Sequence, residues 1–400
     1  MSLRSHYINR INTYLPVEIM SDIFLYSLEV HQANAGDLAS VCQHWRRIII
    51  TMPNLWSTLK VGTRTERGRV ATWLQRAYLP KVVIDTESGD QGSTPQFAAL
   101  QDALASTAKW HELTISSFPV EDLTDHLDLH AANPMNLLKS LHVAAGCRSS
   151  DSLTELLDLV PAHGSSLSEL RLFPSFVTAH FLQPHWLPAL QNLTVLIVNG
   201  RDIHEPFHLL PAFTQLHVFE ADCLPLPWYG PSVDLPLLHT LQRLLLRASS
   251  VQWMAGRQFL SLEECAILLP HHSSAVQQFR VELPCCKILT YHGYPMTIAQ
   301  YFHAPQMKVL GLGSHDDDKQ RAYQQLRHLC RSNICFFRLT SLHLTLQCCQ
   351  KRLVYGVSGG VGLVYYISLF FGQLTSVTGC GTLFQRLASM ASMASICKPP

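Results

Sequence analysis

Charge is scarce in this 400-residue chain: 15% of its residues are Asp, Glu, Lys or Arg, and 30 basic against 29 acidic side chains leave a formal charge of +1. No long basic run compensates, so neither nucleic acid nor an anionic membrane surface is an expected partner. The opening stretch MSLRSHYINRINTY lacks the unbroken apolar core of a signal peptide. Secretion is therefore not expected, and the twelve cysteines are expected as thiols in a cytoplasmic or nuclear protein. No CxxC occurs, and the adjacent pairs Cys285–Cys286 and Cys348–Cys349 are poorly suited to bridging one another, which argues against a disulfide framework.

Catalytic signatures are sparse too: GxGxxG and the phosphate-binding GxxxxGKS/T are absent, and HExxH and GxSxG occur only as the letters HEPFH (204–208) and GVSGG (356–360). Among 21 histidines, His271–His272 has no suitably spaced carboxylate, and His328-x-Cys330 with Cys335 is an incomplete zinc-like grouping. The acidic run HDDDKQRAY at 315–323 reads as a solvated loop opening a helix, with Asp318 near its N-terminus. No metal, cofactor or catalytic residue is expected. A thiol hydrolase using Cys330 with His328 is the remaining catalytic alternative.

What the chain does have is apolar surface, 47% of residues, patterned in two different ways. After Pro16, placed as a first-turn proline, Ile19, Met20, Ile23, Phe24 and Leu28 share a helical face. Leu38, Val41, Cys42, Trp45, Ile48 and Ile49 predict a second helix, capped from Asn34–Asp37 and broken at Met52–Pro53. PNLWSTLKV clusters Leu55, Trp56 and Leu59, and Val70, Trp73, Leu74 and Ala77 predict a further helix. A self-contained helical cap is one reading of this periodicity.

The residues themselves point further. The run L-P-x-E-I-x-x-x-I-F from Leu15, then V-C-x-x-W-R from Val41, then P-x-L-W from Pro53 resembles the F-box, a short helical module of SCF-type cullin ubiquitin ligases. The continuation RVATWLQRAYLPKVVID is similar to the F-box proteins of mushroom-forming fungi, with Val17 and Gln43 as small departures. The resemblance implies a docking surface for a Skp-family linker and, through it, a cullin. It assigns that docking to Leu15, Pro16, Ile19, Ile23, Phe24, Val41, Cys42 and Trp45, exposed in the isolated chain and buried in the complex.

Beyond about residue 105 a phrase of the form L-x-x-L-x-L recurs, starting at Trp110, Leu138, Leu167, Leu190, Leu216, Leu241, Leu262, Cys286, Met307 and Leu339. The separations are 28, 29, 23, 26, 25, 21, 24, 21 and 32 residues, mostly within the roughly 20–29 of a leucine-rich repeat. The phrase predicts short parallel strands feeding one core, with helices or loops outside, such as a helical face at Leu153, Leu156, Leu157 and Val160. A second register, Leu193-x-x-Leu196-x-Val198, fits the fourth phrase equally well, and the Asn or Cys that closes such turns is mostly absent, Cys147 and Cys223 lying within a residue of its place. A plain α/β domain is the alternative.

Side chains between the leucines alternate away from the core. They form an expected concave face that includes Thr114, His142, Arg171, Thr194, Glu220, Arg243, Leu245, Thr290 and His343. A broad mixed surface of this kind suits a protein target, and His142, Arg171, Glu220, Arg243, Leu245, Thr290 and His343 are its candidate contacts.

After Arg352 the composition shifts again, and residues 353–385 contain no Asp, Glu, Lys, Arg or His. A membrane span, a buried or disordered end to the solenoid, and sequence outside the native coding region all fit that stretch. The expected organisation is an N-terminal lead (1–14), an F-box-like helical domain (15–60), a helical and strand connector (61–105), an α/β leucine-rich-repeat solenoid (106–350) and the uncharged tail (351–400). The expected role is a non-enzymatic, substrate-recognition subunit of an SCF-type ligase, with a leucine-rich-repeat scaffold or adaptor outside any ligase as the alternative.

Overall fold

The computed structural model describes residues 14–31, 35–61, 67–85, 103, 110–116, 137–144, 156, 167–173, 190–199, 208–222, 233–247, 252–268, 280–292, 301–314, 341–346 and 366–370. The sequence readings at His271–His272, 315–323 beyond Ser314, His328, Cys330, Cys335, Cys147, Cys223 and Cys348–Cys349 lie outside these residues. The chain divides into two compact units, Met1–Thr240 and Leu241–Pro400.

In the first unit, helix α1 (Val17–His31) starts beyond Pro16, whose carbonyl accepts the Met20 N–H at 3.1 Å. Glu18 in the first turn suits the helix dipole. The predicted apolar face splits along two neighbouring rows: Met20 and Phe24 are each 1% exposed, while Ile19 and Ile23 remain 47% and 44% exposed.

The single helix predicted over 38–49 is instead two, α2 (Ala35–Ser40) and α3 (Gln43–Ile50). Cys42 between them is extended (φ −158°, ψ 167°), and its Sγ accepts the Trp45 N–H at 3.5 Å, so the thiol caps a new helix where continuous periodicity suggested an old one. Met52 is extended ahead of Pro53, as the proline ring requires, and a 3₁₀ turn covers Pro53–Trp56.

Trp56 is where the helices meet the sheet. It is 4% exposed, its indole N–H donates to the Ile49 carbonyl at 2.8 Å, and its own carbonyl accepts the Trp73 indole N–H at 2.6 Å. Trp73 lies in helix α4 (Arg67–Arg76), with its ring edge-on to Trp56 at 5.0 Å. Val70, Trp73 and Leu74 are buried as the sequence predicts.

Strand β1 (Thr58–Val61) follows Trp56 directly and pairs in parallel with β2 (Lys81–Asp85). The series continues in parallel through β3 (Glu112–Ser116), β4 (Ser140–Val143), β5 (Glu169–Leu172), β6 (Val195–Asn199) and β7 (Val218–Asp222). The sheet thus begins about 50 residues before the expected solenoid start, inside the segment read as a connector. Leu59, Val82, Leu113, Leu141, Leu170, Leu196 and Phe219 are in register and all buried. The residue before each of β3 to β7 donates a cross-repeat hydrogen bond of 2.8–2.9 Å, such as Lys139 N–H to the His111 carbonyl and Ser168 N–H to the Lys139 carbonyl.

The fourth phrase takes the second register. Leu196 opposes Leu170 and Val198 opposes Leu172, so the phrase starts at Leu193 and its central outward residue is Ile197 in place of Thr194. Leu190 is buried as well, which is why the sequence alone left both registers open. Helix α5 (Leu237–Thr240) closes this unit, Thr240 Oγ1 donating to the Leu216 carbonyl at 2.9 Å.

The second unit contains β8 (Arg243–Arg247), β9 (Glu264–Leu268), β10 (Val281–Glu282), β11 (Ile288–His292), β12 (Phe302–His303), β13 (Val309–Ser314), β14 (Ser341–Leu346) and β15 (Tyr366–Phe370). β8, β9, β11, β13 and β14 pair in that order, all parallel. β15, from the uncharged tail, ends the parallel progression by pairing antiparallel with β14. β10 and β12 form a second short parallel layer, extended by a bridge from Gln258 to Glu282. Phe259, Val281, Leu283 and Phe302 are buried in it. In part of the layer predicted as helix or loop, at Gln258, β10 and β12, the described chain is extended, beside a 3₁₀ turn at Gln252–Met254. Both units are parallel-strand solenoids with few helices.

Candidate functional site

Two surfaces hold the residues singled out in the sequence. On α1, Ile19, Ile23 and Tyr26 recur at i, i+4 and i+7 and are all exposed, Tyr26 at 60%. Pro16 is exposed beside them, Leu15 is half-buried, and Val41 stands 42% exposed in the break between α2 and α3. Cys42 and Trp45 are half-buried, the first occupied as a helix cap and the second packed on Phe24 with ring centroids 4.9 Å apart. Phe24 corrects the expectation of exposure. It faces the same side of α1 as Met20 and serves the internal core, leaving Ile19 and Ile23 as the outward pair.

The second surface is the outward face of the sheets. In the first unit Thr114, His142, Arg171, Ile197 and Glu220 lie side by side in register. Lys81 and Glu112 form an ion pair at 2.6 Å next to this row, and Arg171 pairs with Glu169. His142 sits edge-on to Phe173 at 5.2 Å. Burial pushes its pKa below the ordinary 6.5, Arg171 and Lys81 push the same way, and Glu169 opposes them. His142 is accordingly a neutral ring at pH 7. Ile197, only 6% exposed, interrupts the polar row.

In the second unit the corresponding row is Leu245, Ala266, Thr290, Gly311 and His343, with only the backbone of His343 described. Thr290 leans over Gly311, where a Cβ would lie 3.0 Å from Thr290 Oγ1, so any larger residue there needs Thr290 to give way by a few tenths of an ångström. Arg243 flanks the row and pairs with Glu264 at 3.3 Å. Of the candidate target residues, His142, Arg171 and Glu220 thus lie in the first unit and Arg243, Leu245, Thr290 and His343 in the second.

Two thiols further along the second unit are packing groups. Burial raises the pKa of Cys265 far above its ordinary value and pushes Cys286 up to about 12, so both stay protonated and unreactive near neutrality. Cys286 donates its thiol to the Ile288 carbonyl at 3.2 Å, and Cys285 beside it is a free thiol as expected. Among the described residues no group of three or more His, Cys, Asp or Glu is placed to hold a metal, and no helix is long and apolar enough to cross a membrane.

Sequence reasoning missed the first two repeats. W-S-T-L-K-V at 56–61 is the same phrase with Trp in first place, and L-P-K-V-V-I at 79–84 is the phrase with valine and isoleucine as its strand residues. Both were legible as L-x-x-L-x-L once aromatic and β-branched residues were admitted. No protein-family model and no curated protein matches the chain.

Proposed function

We propose that this chain is a non-catalytic substrate-recognition subunit of an SCF-type cullin ubiquitin ligase: the N-terminal helices dock a Skp-family linker, and the solenoid, read as leucine-rich repeats, holds a protein target. The observation that carries this reading is the outward row Ile19, Ile23 and Tyr26, with Val41 exposed nearby, on helices where Met20, Phe24, Ile48 and Ile49 already fill the internal core. Apolar residues at helical spacing that their own unit does not use are what a helical docking module needs.

The junction at Trp56 supports the same reading. Two indole hydrogen bonds join α3, the 3₁₀ turn and α4 there, and β1 begins two residues after Trp56, so a target on the sheet face of the first unit would be held close to these helices. A recognition subunit acts by raising the effective concentration of its target near a conjugating enzyme, and a stiff junction preserves that gain. Ubiquitin transfer itself would belong to other subunits, in the cytoplasm or nucleus. Co-purification of the full chain with a Skp-family linker tests the proposal. Stable co-purification that is lost in Ile19→Ala/Ile23→Ala supports it, and failure of the folded wild-type chain to bind any such linker leaves the adaptor reading instead.

A further inference from the structure

We propose that the cleft bounded by α2, α3, the 3₁₀ turn and α4 binds a phosphoryl oxyanion, either free or on a small monoester. The cleft measures about 260 Å³ and is lined by two arginines, Arg46 and Arg76, with no carboxylate among the described residues of its wall. Gly36 and Ala39 leave the space open, and Ser40, whose hydroxyl donates to the Asp37 carbonyl at 2.7 Å, lines its edge.

Both guanidiniums are positioned before any ligand arrives. Arg76 lies over the Trp56 ring, 4.7 Å from its centroid, and that ring is fixed by its hydrogen bond to Ile49. Arg46 donates its Nε–H to the Ala39 carbonyl at 3.1 Å, which leaves its terminal nitrogens for the cleft. Among the described residues neither arginine makes an ion pair with a carboxylate. Two like charges on one wall repel each other, and a dianion between them removes that repulsion while accepting several charge-assisted hydrogen bonds. The planar guanidinium fork matches phosphate geometry, and stacking on an indole costs Arg76 little of its donor capacity. The volume falls below the usual range for drug-sized ligands, which favours a phosphate-sized group over a larger body. Occupancy would tie α2 and α3 to α4 and so stabilise the helical unit by linkage. This assignment does not depend on the ligase reading.

The test uses the full chain at constant ionic strength, titrated with inorganic phosphate and separately with phosphoserine, followed by calorimetry and by the phosphorus resonance of the ligand. The expected result is saturable binding in a chloride buffer, weakened roughly tenfold or more by Arg46→Gln and by Arg76→Gln, as loss of a charged hydrogen-bonding group entails. Tighter binding of phosphoserine would identify an ester as the occupant, and equal or weaker binding the free ion; either supports the site. Phosphate also stabilises proteins generally, so a thermal shift counts only as the difference between wild type and Arg46→Gln. Should Arg76→Gln disturb the Trp56 packing, the exposed Arg46 alone decides. Absence of saturable binding, or binding that Arg46→Gln leaves unchanged, overturns the proposal.

Discussion

Replacing Trp56 by alanine tests how the helices are fastened to the solenoid. The side chain is 4% exposed, so truncation removes a large buried aromatic, a change that costs about 3–5 kcal/mol in protein cores. It also leaves the Ile49 carbonyl without the indole donor, about 1 kcal/mol more. The edge contact with Trp73 and the Arg76 contact with the ring add about 1–2 kcal/mol together. A loss of about 5 kcal/mol or more is comparable to the whole stability of many domains. Because the chain has two units, a global midpoint is the wrong readout. Hydrogen exchange by mass spectrometry on the full chain is the right one, with peptides from 43–61 and 67–85 as reporters and peptides from 252–292 as internal reference. Trp56→Ala should collapse protection in the reporters and spare the reference. Trp56→Phe, which keeps an aromatic ring in the site but loses the indole hydrogen bond and part of the buried volume, should cost less, about 2–3 kcal/mol. Unchanged protection in Trp56→Ala, or equal effects of the two substitutions, would refute the reasoning.

Three further outcomes follow from the second surface and the core. His142 has a lowered pKa, so the unfolded chain binds its proton first: its contribution to stability is complete above about pH 6.5 and is lost as pH falls below it, and His142→Gln should flatten that part of the stability profile. Gly311→Ala should destabilise the second unit by about 1 kcal/mol by forcing Thr290 off its rotamer, and Thr290→Ala should relieve that cost in a double-mutant cycle. Cys265 and Cys286 should resist iodoacetamide at pH 8 in the native chain while reacting in denaturant, and identification of the labelled peptides by mass spectrometry checks it.

The strand series was legible in the sequence because one phrase encodes both the alternation and the spacing: Leu141 and Val143 face inward for the same reason as Leu170 and Leu172. Where the phrase changed letters, the reading lost it. Trp56 was read as part of a helical module and is also the buried residue from which the chain enters β1 two positions later, a double role that no single period reveals. The break at Cys42 was hidden because Leu38, Cys42 and Trp45 keep helical spacing across it, and only the thiol's bond to the Trp45 N–H shows that the chain starts afresh. Ile19 and Ile23 could not be told from Met20 and Phe24 by hydrophobicity; a rotation of one residue around α1 decides which pair packs inside. Arg46 and Arg76, thirty residues apart in sequence, carry no joint signal until the helices bring them to one cleft.

The central claim is that the outward row of α1 is a docking surface, and calorimetric titration of the full chain with a Skp-family linker tests it most directly. About half of each isoleucine side chain is available for further burial, so Ile19→Ala/Ile23→Ala should weaken binding by about 2–3 kcal/mol, roughly 30- to 150-fold. The same variant should keep wild-type exchange protection in 43–61, since neither side chain is part of the internal core. Wild-type affinity in the folded double variant, or no binding by the wild-type chain, would contradict the account.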